Sequence, residues 1–544
     1  MKIVLLAVNS KYVHSSLAVW YLAGGIKKYA QNRHNAVVIE STINKKTAET
    51  VEMIVSHKPD IVGISSYIWN TKMLPILIDE IKKQLSEVII LLGGPEASHN
   101  AGFWLSKGVR YVLCGEGEHH ISLLLDALES KDDEALKHIP GLCFLTDGNT
   151  VTNPQSEPSD IYINPYSEEY FNSLDGAIAY IESSRGCPFN CSYCLSAGDK
   201  VRFFPLEETK ENIDRLILSG TKTVKFVDRT FNCNLERAKE IIRYIIELDT
   251  GCCFHFELVA DLFDEELLML LKYAPPGRIR LEIGIQSFNE DTLEAVSRKT
   301  DIALVIKNIK HLIENQNIHI HIDLIAGLPY ETYQLFKTGF NIAYNLGAHT
   351  LQLGFLKFLY GSEMRNLADR YEINYSNEPP YEILDSKWIS AEEINSIECA
   401  ENALQNTYNK GRFRATLHYV LMNSSFEPFD LFRKLGENVP HHMISLQNYA
   451  ADIYMFLSSL SGVDEKRLRD CMVYDILGMT RGKAMPNLLR ITGNERRKLI
   501  TEVEALLKHK VDDDTVELLS SGRGAYVEDS SRDQVTGLYA VKLI

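Results

Sequence analysis

Residues 183–198 read SSRGCPFNCSYCLSAG and place Cys187, Cys191 and Cys194 in one short segment. The glycine, proline and asparagine around the cysteines are typical of an exposed loop rather than of a buried core segment. A structural zinc ion normally takes four closed ligands, and no second cysteine pair lies nearby. An iron–sulfur cubane also takes four thiolates, so three thiolates leave one iron open for a substrate or cofactor. The open position is therefore the expected site of chemistry.

The segments around this loop alternate between short β-type runs and amphipathic helical stretches, such as 207–219 and 235–249. Six β/α units of this kind predict a complete or partial barrel, with its chemistry at the carboxyl ends of the strands. The cysteine loop directly follows the first run. The six runs are AIAYIES (177–183), TVKFVD (223–228), CFHFEL (253–258), RIRLEIGIQ (278–286), IHIHIDLIAG (318–327) and TLQLGFL (350–356).

The first 130 residues contain a separate alternating series with continuous apolar strands, which indicates a parallel sheet buried on both faces. Such sheets bind ligands at the carboxyl ends of their strands, where Gly93, Gly94, Gly115 and Gly117 allow close approach. The apolar runs are KIVLLAV (2–8), AVVIES (36–41), DIVGISSY (60–67), VIILLGG (88–94) and YVLCGE (111–116).

Composition narrows the functional class. The 544 residues carry a net charge of −16, which argues against a nucleic-acid polymer as partner. The N-terminus lacks the apolar stretch of a signal peptide, and no apolar run is long enough to span a bilayer. Ten cysteines in a chain of this length do not predict a disulfide scaffold. We therefore expect a soluble, cytoplasmic protein without a membrane partner.

A C-x3-C-x2-C run after the first strand of a β/α barrel resembles the radical S-adenosylmethionine family. The resemblance implies a [4Fe–4S] cluster on the three cysteines and reductive cleavage of S-adenosylmethionine to a 5′-deoxyadenosyl radical. It also implies cofactor contacts. Tyr193 would lie near the adenine, Glu257 stands at a strand end, Gln286 would meet the ribose, Arg298 the methionine carboxylate, and Asp323 would point toward the cofactor.

The first domain is similar to the flavodoxin-like module of the cobalamin-binding radical S-adenosylmethionine proteins, in a subgroup with an uncharacterised C-terminal domain. The Asp-x-His-x-x-Gly run of classical cobalamin domains is absent, and His14 lacks its spacing. The first loop, with Lys11, Tyr12 and His14, predicts poor accommodation of a nucleotide tail. The sequence therefore does not decide whether the protein binds cobalamin. We expect turnover without cobalamin, with this domain acting as a lid.

The expected fold is α/β, with four segments. A flavodoxin-like doubly wound sheet covers residues 1–147, and a linker covers 148–175. A partial (β/α)6 radical S-adenosylmethionine barrel covers 176–364, and a mainly helical domain covers 365–544. The last segment contains no chemical motif that we can interpret.

The resemblance implies an enzyme that abstracts hydrogen from a small polar molecule and cleaves or rearranges it. A lyase acting on a queuine-type modified nucleobase is the candidate, and a flavodoxin or ferredoxin is the expected reductant. The alternative is a cobalamin-dependent methyltransferase at an unactivated carbon. A third hypothesis, a carrier without catalysis, fits poorly, because a carrier needs no open iron. Methyl transfer yields S-adenosylhomocysteine besides 5′-deoxyadenosine, whereas a lyase yields only the latter.

Overall fold

A computed structural model describes residues 1–157, 162–439 and 445–544. These residues form two compact units. The first consists of Met1–Cys233, Glu247–Glu257 and Lys357–Ile383, and the second of Asn234–Ile246, Leu258–Leu356 and Leu384–Ile544.

The N-terminal sheet of the first unit has seven strands in the order β2-β1-β3-β4-β5-β6-β7. The first five are parallel, which confirms the predicted doubly wound sheet. The strands are β1 (Lys2–Asn9), β2 (Asn35–Thr42), β3 (Ile61–Ser65), β4 (Ile89–Gly93), β5 (Tyr111–Leu113), β6 (Leu142–Thr146) and β7 (Asn149–Thr152). The helices are α1 (Leu17–Tyr29), α2 (Thr47–Ser56), α3 (Leu74–Gln84), α4 (Pro95–Ser98), α5 (Ala101–Ser106), α6 (Gly117–Ser130) and α7 (Asp133–Leu136).

Helices α1 and α6 pack against each other beside this sheet. Gly25 makes the contact possible, because a Cβ at this position would lie 1.8 Å from the carbonyl oxygen of Glu118. Ser122 of α6 donates a hydrogen bond to the carbonyl of Gly25. This packing fixes the first turn of α6, which begins at the end of β5, on the edge where ligands of such sheets bind.

The sheet differs from the prediction at one edge. Strands β6 and β7 form an antiparallel hairpin that pairs with β5. Asp147 and Gly148 connect them with φ values of 49° and 78°, as a two-residue hairpin turn requires. Residues 149–152 therefore belong to the first sheet, although the predicted linker includes them. The helix α8 (Glu168–Ser173) also lies within that linker.

The six predicted β/α strands are all present in the expected order. In the first unit β11 pairs in parallel with β8 and β12, and in the second unit β14 pairs in parallel with β13 and β15. The strands are β8 (Ala179–Ile181), β11 (Thr223–Phe226), β12 (Cys253–Leu258), β13 (Ile279–Gln286), β14 (His319–Ala326) and β15 (Thr350–Phe355). A small antiparallel pair, β9 (Ser184–Arg185) and β10 (Arg202–Phe203), follows β8.

Helices follow these strands, and several begin where the sequence supplies a side-chain cap. Asp264, Asp301 and Thr332 each accept a hydrogen bond from the backbone three residues later, as helix N-caps do. The helices are α9 (Leu206–Leu218), α10 (Leu235–Glu247), α11 (Glu265–Lys272), α12 (Glu290–Ala295), α13 (Ile302–Glu314) and α14 (Tyr333–Asn345).

The C-terminal part is mainly helical, as predicted, and ends in a small antiparallel sheet in which β19 pairs with both β18 and β20. The helices are α15 (Glu363–Leu367), α16 (Ala391–Asn406), α17 (Arg414–Asn423), α18 (Pro428–Asn438), α19 (Leu446–Ser458), α20 (Glu465–Thr480) and α21 (Asn494–Leu507). The strands are β16 (Ile373–Tyr375), β17 (Ile383–Ser386), β18 (Val516–Leu518), β19 (Gly524–Arg532) and β20 (Tyr539–Leu543).

Five 3-10 helices complete the secondary structure of the described residues, at Phe231–Cys233, Ala260–Leu262, Tyr408–Lys410, Asn487–Leu489 and Asp513–Thr515. Within the described residues, none of the helices combines the length and apolar character that a bilayer span requires.

Candidate active site and cofactor pocket

The cysteine loop connects β9 and β10 within the first unit, and its two ends are held together. Gly186 has a φ of 100°, and a Cβ there would lie 2.5 Å from the carbonyl oxygen of Lys200. The backbone N–H of Cys187 donates to the carbonyl of Asp199 at 3.1 Å, and that of Gly198 donates to Phe189 at 2.8 Å. The glycine is therefore needed to bring both ends of the loop together.

Cys187 and Cys191 are buried and Cys194 is half-buried. Burial raises the pKa of Cys194, Arg229 opposes this shift, and negative charge on Cys187 and Cys191 adds to it. The three sulfurs thus lie close enough to interact electrostatically. The backbone N–H of Ser196 donates to the Cys194 sulfur at 3.4 Å.

The spacing of the sulfurs argues against a single bound metal ion. Among the described residues, no group of three ligand atoms within 4.8 Å of one another includes these cysteines. Thiolates about 2.3 Å from one zinc ion would lie roughly 3.8 Å apart. An iron–sulfur cluster, whose ligands are cysteine thiolates, does not require the sulfurs to be so close together. The cysteines therefore fit the group that the resemblance implies.

A buried aspartate fixes the strand end from which the loop departs. Asp228, directly after β11, accepts hydrogen bonds from the backbone N–H of Ser183 at 2.9 Å and from its hydroxyl at 2.7 Å. The hydroxyl of Ser184 donates to the same carboxylate at 2.6 Å. Burial raises the pKa of Asp228 to about 6, and these hydrogen bonds oppose the shift. Asp228 was not predicted as a site residue, although it ends the predicted run TVKFVD and Glu257 was noted at a comparable strand end.

Two residues after Asp228, the Thr230 hydroxyl lies 3.6 Å from the Cys187 sulfur. The segment after β11 therefore supports the cysteine loop from one side. Tyr193, predicted near the adenine, is half-buried within the loop itself. Glu257, another predicted contact, lies on β12, where its carboxylate is 3.1 Å from the Lys225 ammonium.

The other three predicted contacts come together in the second unit. Gln286 ends β13 with a φ of 75°, and its Oε1 atom is buried without a hydrogen-bond partner among the described residues. The Arg298 guanidinium donates to the carbonyl of Gly284. Gly284 also faces Asp323 in the register of β13 and β14. A Cβ on Gly284 would lie 2.4 Å from the Gln286 amide nitrogen, so the glycine leaves room for the Gln286 side chain.

The unpaired amide oxygen of Gln286 fits a ligand that donates a hydrogen bond, such as a ribose hydroxyl. Such a buried acceptor is costly to leave unsatisfied and is uncommon in native proteins. A non-glycine residue at positive φ adds a backbone cost of the kind that is concentrated at functional sites. The residues present thus suit the cofactor that the resemblance implies.

Sequence analysis also missed three polar residues near this cluster. His321 Nε2 lies 3.0 Å from the Asp323 carboxylate, and Glu282 lies opposite His321 in the neighbouring strand. Glu331 is almost completely buried and accepts a hydrogen bond from the Ser287 hydroxyl. Burial raises the pKa of Glu331 to about 8. Alternate residues of β13 and β14 share one face, which was the available signal for Glu282 and His321.

A cavity of about 590 Å³ lies within the first unit at the carboxyl edge of the N-terminal sheet. We call it the sheet-edge cavity. Small side chains predominate where the strands end, namely Ser10, Ser15, Ser16, Ser65, Gly93, Gly94, Gly115 and Gly117. Because β1 lies between β2 and β3, this edge contains the topological switch point at which such sheets bind ligands.

The expected obstruction by the first loop is wrong. Lys11 and Tyr12 do not line the sheet-edge cavity, and Tyr12 is 66% exposed. The His14 ring nitrogen Nδ1 is instead 2.6 Å from the Tyr180 hydroxyl. Burial lowers the pKa of His14, and Lys11 and Lys225 lower it further. Lys11 and Tyr12 thus turn toward solvent, whereas His14 lines the cavity together with Tyr180. The small residues at the strand ends leave room for a bulky cofactor with a nucleotide tail.

The opposite wall of the sheet-edge cavity contains residues next to the cysteine loop, including Tyr180, Glu182, Arg185, Val227 and Arg229. The Arg185 guanidinium pairs with both carboxylate oxygens of Glu182, at 2.9 and 2.8 Å. It also donates to Glu118 at 2.7 Å. A bidentate arginine pair of this kind is strong and directional. Arg185 therefore connects the start of the cysteine loop to the first turn of α6.

Family models match three successive parts of the chain. Residues 3–125 match the B12 binding domain, and residues 181–338 match the radical SAM superfamily. Residues 369–521 match DUF4080, a protein of unknown function. Each matched range lies inside one of the three domains expected from the sequence, whose exact boundaries remain a prediction.

Two curated relatives illustrate the similarity. The cobalamin-dependent radical SAM methyltransferase TokK of Streptomyces tokunonensis is 24% identical over 323 residues, which cover 54% of this chain and 46% of TokK. The uncharacterized methyltransferase PH0819 of Pyrococcus horikoshii is 27% identical over 335 residues, which cover 58% of this chain and 70% of PH0819. The chain thus spans about half the length of TokK.

A solved structure shows the same fold over most of the chain. The cobalamin-dependent S-adenosylmethionine radical enzyme OxsB, with aqua-cobalamin bound, aligns with a TM-score of 0.63 at 13% identity. The alignment covers 94% of this chain and 82% of OxsB. The chain is therefore a radical S-adenosylmethionine protein with an N-terminal B12-binding domain and a C-terminal DUF4080 domain, and these domains imply a [4Fe–4S] cluster, S-adenosylmethionine and cobalamin as cofactors.

Proposed function

We propose that the chain is a cobalamin-dependent radical S-adenosylmethionine methyltransferase that acts on an unactivated carbon of a small polar substrate. The sheet-edge cavity carries this proposal. One wall is the carboxyl edge of the B12-binding sheet, and the other contains Arg185 and Arg229, which flank the cysteine loop in the first unit. A cofactor in this cavity lies beside the residues that hold the cluster.

The protein positions the cofactors and the substrate and shields them from water, while the cofactors supply the chemical reactivity. When bound, the cluster provides an electron to S-adenosylmethionine, and cobalamin provides a carrier for a methyl group. Tyr67 and Trp69 line the sheet-edge cavity as a stacked pair, with ring centroids 4.3 Å apart. The Trp69 indole N–H donates to the carbonyl of Val8 at 2.9 Å, which fixes the pair against the end of β1. Such apolar surfaces exclude water from reactive species.

The comparisons favour methyl transfer over the lyase expected from the sequence. Both curated relatives described above are methyltransferases by name, and neither is a lyase. A queuine-type nucleobase has no support among them, and the substrate is therefore proposed only as a small polar molecule. A flavodoxin or ferredoxin as electron donor remains part of the proposal.

The three cysteines are proposed as the cluster ligands. Replacing Cys187, Cys191 or Cys194 singly by alanine should abolish the four-iron cluster in anaerobically reconstituted protein, because thiolates are the ligands that such clusters take. Iron and sulfide analysis with electron paramagnetic resonance of the reduced protein measures this loss. The matched control is Cys399→Ala, a half-buried cysteine on α16, which should leave the cluster intact. Full clusters in all three loop variants would contradict the assignment.

Arg298 is proposed to bind the carboxylate of S-adenosylmethionine. Arg298→Ala should weaken binding by about 1.5–3 kcal/mol, the order expected for a hydrogen bond to a charged group. Calorimetric titration of the reconstituted protein measures the change. The control is Lys299→Ala, which removes a cation at the next position and should leave the affinity unchanged. Equal affinities in the wild type and Arg298→Ala would remove this residue from the cofactor site.

Methyl transfer is tested with protein from cobalamin-free medium, reconstituted with or without hydroxocobalamin. Reductant, methyl-deuterated S-adenosylmethionine and a deproteinised cell extract are added, and mass spectrometry follows all products. We expect S-adenosylhomocysteine, 5′-deoxyadenosine and a deuterated methyl product, and we expect this product only with cobalamin. Cobalamin-independent formation of 5′-deoxyadenosine with a cleaved product would instead establish a lyase.

A cavity-filling variant gives this test a readout independent of turnover. Gly93 lines the sheet-edge cavity, and a Cβ there meets only the Leu113 carbonyl at 3.5 Å. Gly93→Leu should therefore fold and lose cobalamin on gel filtration. Gly102→Leu, at a helix position with open space around its Cβ, should retain it. Retention of cobalamin by Gly93→Leu would contradict the placement of the cofactor.

A further inference from the structure

The second unit contains a separate cavity of about 440 Å³ in the C-terminal domain, which has no assigned function. We call it the C-terminal cavity. It lies where α20 ends, against strands β19 and β20. Its lining residues are Met479, Thr480, Arg481, Lys483, Ala484, Arg532 and Tyr539.

Three cations line the C-terminal cavity, and none of them forms an ion pair with a carboxylate in the part of the chain that the structure describes. They are Arg481, Lys483 and Arg532. This is unusual for a chain with 73 acidic and 57 basic residues. Nearby, Arg490 pairs with Asp514 at 2.6 Å, and Arg496 lies 3.5 Å from Glu517. The carboxylates of these two pairs thus contact neighbouring arginines rather than the three cations of the cavity.

Arg481 is held in place by the backbone. It caps α20 with a φ of 55°, and the following Gly482 approaches the main chain so closely that a Cβ would lie 1.8 Å from the Asp514 carbonyl oxygen. The Nε atom of Arg481 is buried and has no hydrogen-bond partner among the described residues. The pKa of Asp529 is lowered, mainly by its hydrogen bonds with Ser531 and to a smaller extent by the positive charge of Arg481. A buried donor without a partner is costly, which a bound acceptor would relieve.

Arg532 is positioned on the other side of the cavity. Its guanidinium carbon lies 4.3 Å from the centroid of the Tyr539 ring, and its Nη1 atom donates to the Gly537 carbonyl at 2.7 Å. These contacts fix the plane of the guanidinium but leave other N–H groups available. A preorganised arginine loses little conformational freedom when it binds an anion.

We propose that the C-terminal cavity binds the phosphate group of a small phosphomonoester. Arginine forks match phosphate oxygens bidentately, and a lysine adds a point charge. A phosphomonoester carries about −1.5 to −2 charges at neutral pH, which three cations can balance. The volume falls in the range of small-molecule pockets, about 300–1,000 Å³, and exceeds the needs of a simple ion. A net charge of −16 disfavours a nucleic-acid polymer at this site.

The test is calorimetric titration of the full-length protein with inorganic phosphate, adenosine monophosphate and adenosine at constant ionic strength. Adenosine monophosphate should bind saturably, phosphate more weakly, and adenosine not at all. Arg481→Gln should weaken binding about tenfold or more, as the loss of a charge-assisted hydrogen bond predicts. Lys483→Gln removes another positive charge from the same cavity. Because the Lys483 side chain is exposed, this substitution should not disturb folding, and a lower affinity for the ligand would reflect the lost charge. Lys542→Gln, on β20 but paired with Glu528, is the control and should bind normally.

Three results would overturn the proposal. The first is the absence of saturable binding of both phosphate and adenosine monophosphate to the wild type. The second is equal affinity in the wild type, Arg481→Gln and Lys483→Gln. The third is that a short RNA binds much more tightly than adenosine monophosphate. That result would identify a nucleic acid, and not a small phosphomonoester, as the ligand of the cavity. None of these measurements depends on cobalamin or on methyl transfer.

Discussion

The buried carboxylate of Asp228 fixes the point from which the cysteine loop leaves the first strand of the radical S-adenosylmethionine domain. It accepts three hydrogen bonds from Ser183 and Ser184, which immediately precede Arg185 and the loop. A loop alone could not hold three thiolates in one arrangement, because each residue that it orders costs conformational entropy. The cysteines, Arg185 and the adjoining wall of the sheet-edge cavity all depend on this anchor.

Much of the fold can be predicted from the periodicity of apolar residues along the sequence. Strands β1, β3, β4 and β5 are largely buried on both faces, so they appear as continuous apolar runs. The six later strands alternate with amphipathic helical stretches, so they appear as a β/α series. Strand β7 was assigned to the linker because the segment from residue 148 onward is polar and contains prolines, although Asp147 and Gly148 form a recognisable hairpin turn. Local turn chemistry was a better guide there than the polar composition of the segment.

The candidate site was less predictable than the fold. The cysteine spacing predicts a cluster loop, because three thiolates in one short loop suit an iron–sulfur cluster better than a zinc ion or a disulfide. The direction of a side chain in a loop is not encoded in a sequence pattern. The first loop was therefore expected to accommodate a nucleotide tail poorly, although Lys11 and Tyr12 do not line the sheet-edge cavity. Arg185 and Asp228 were missed for a related reason. Their partners, Glu118 and Ser183, lie 67 and 45 residues away in sequence, and only the folded chain brings them together.

The central claim is that one cavity of the first unit holds cobalamin beside the cysteine loop. The most direct measurement is an anaerobic crystal structure of the protein reconstituted with iron, sulfide, hydroxocobalamin and S-adenosylmethionine. The account predicts corrin density in the sheet-edge cavity, bordered by Gly93 on one side and Arg185 on the other. An ordered cluster on the three cysteines with corrin bound elsewhere, or with the cavity closed by Tyr67 and Trp69, would contradict it.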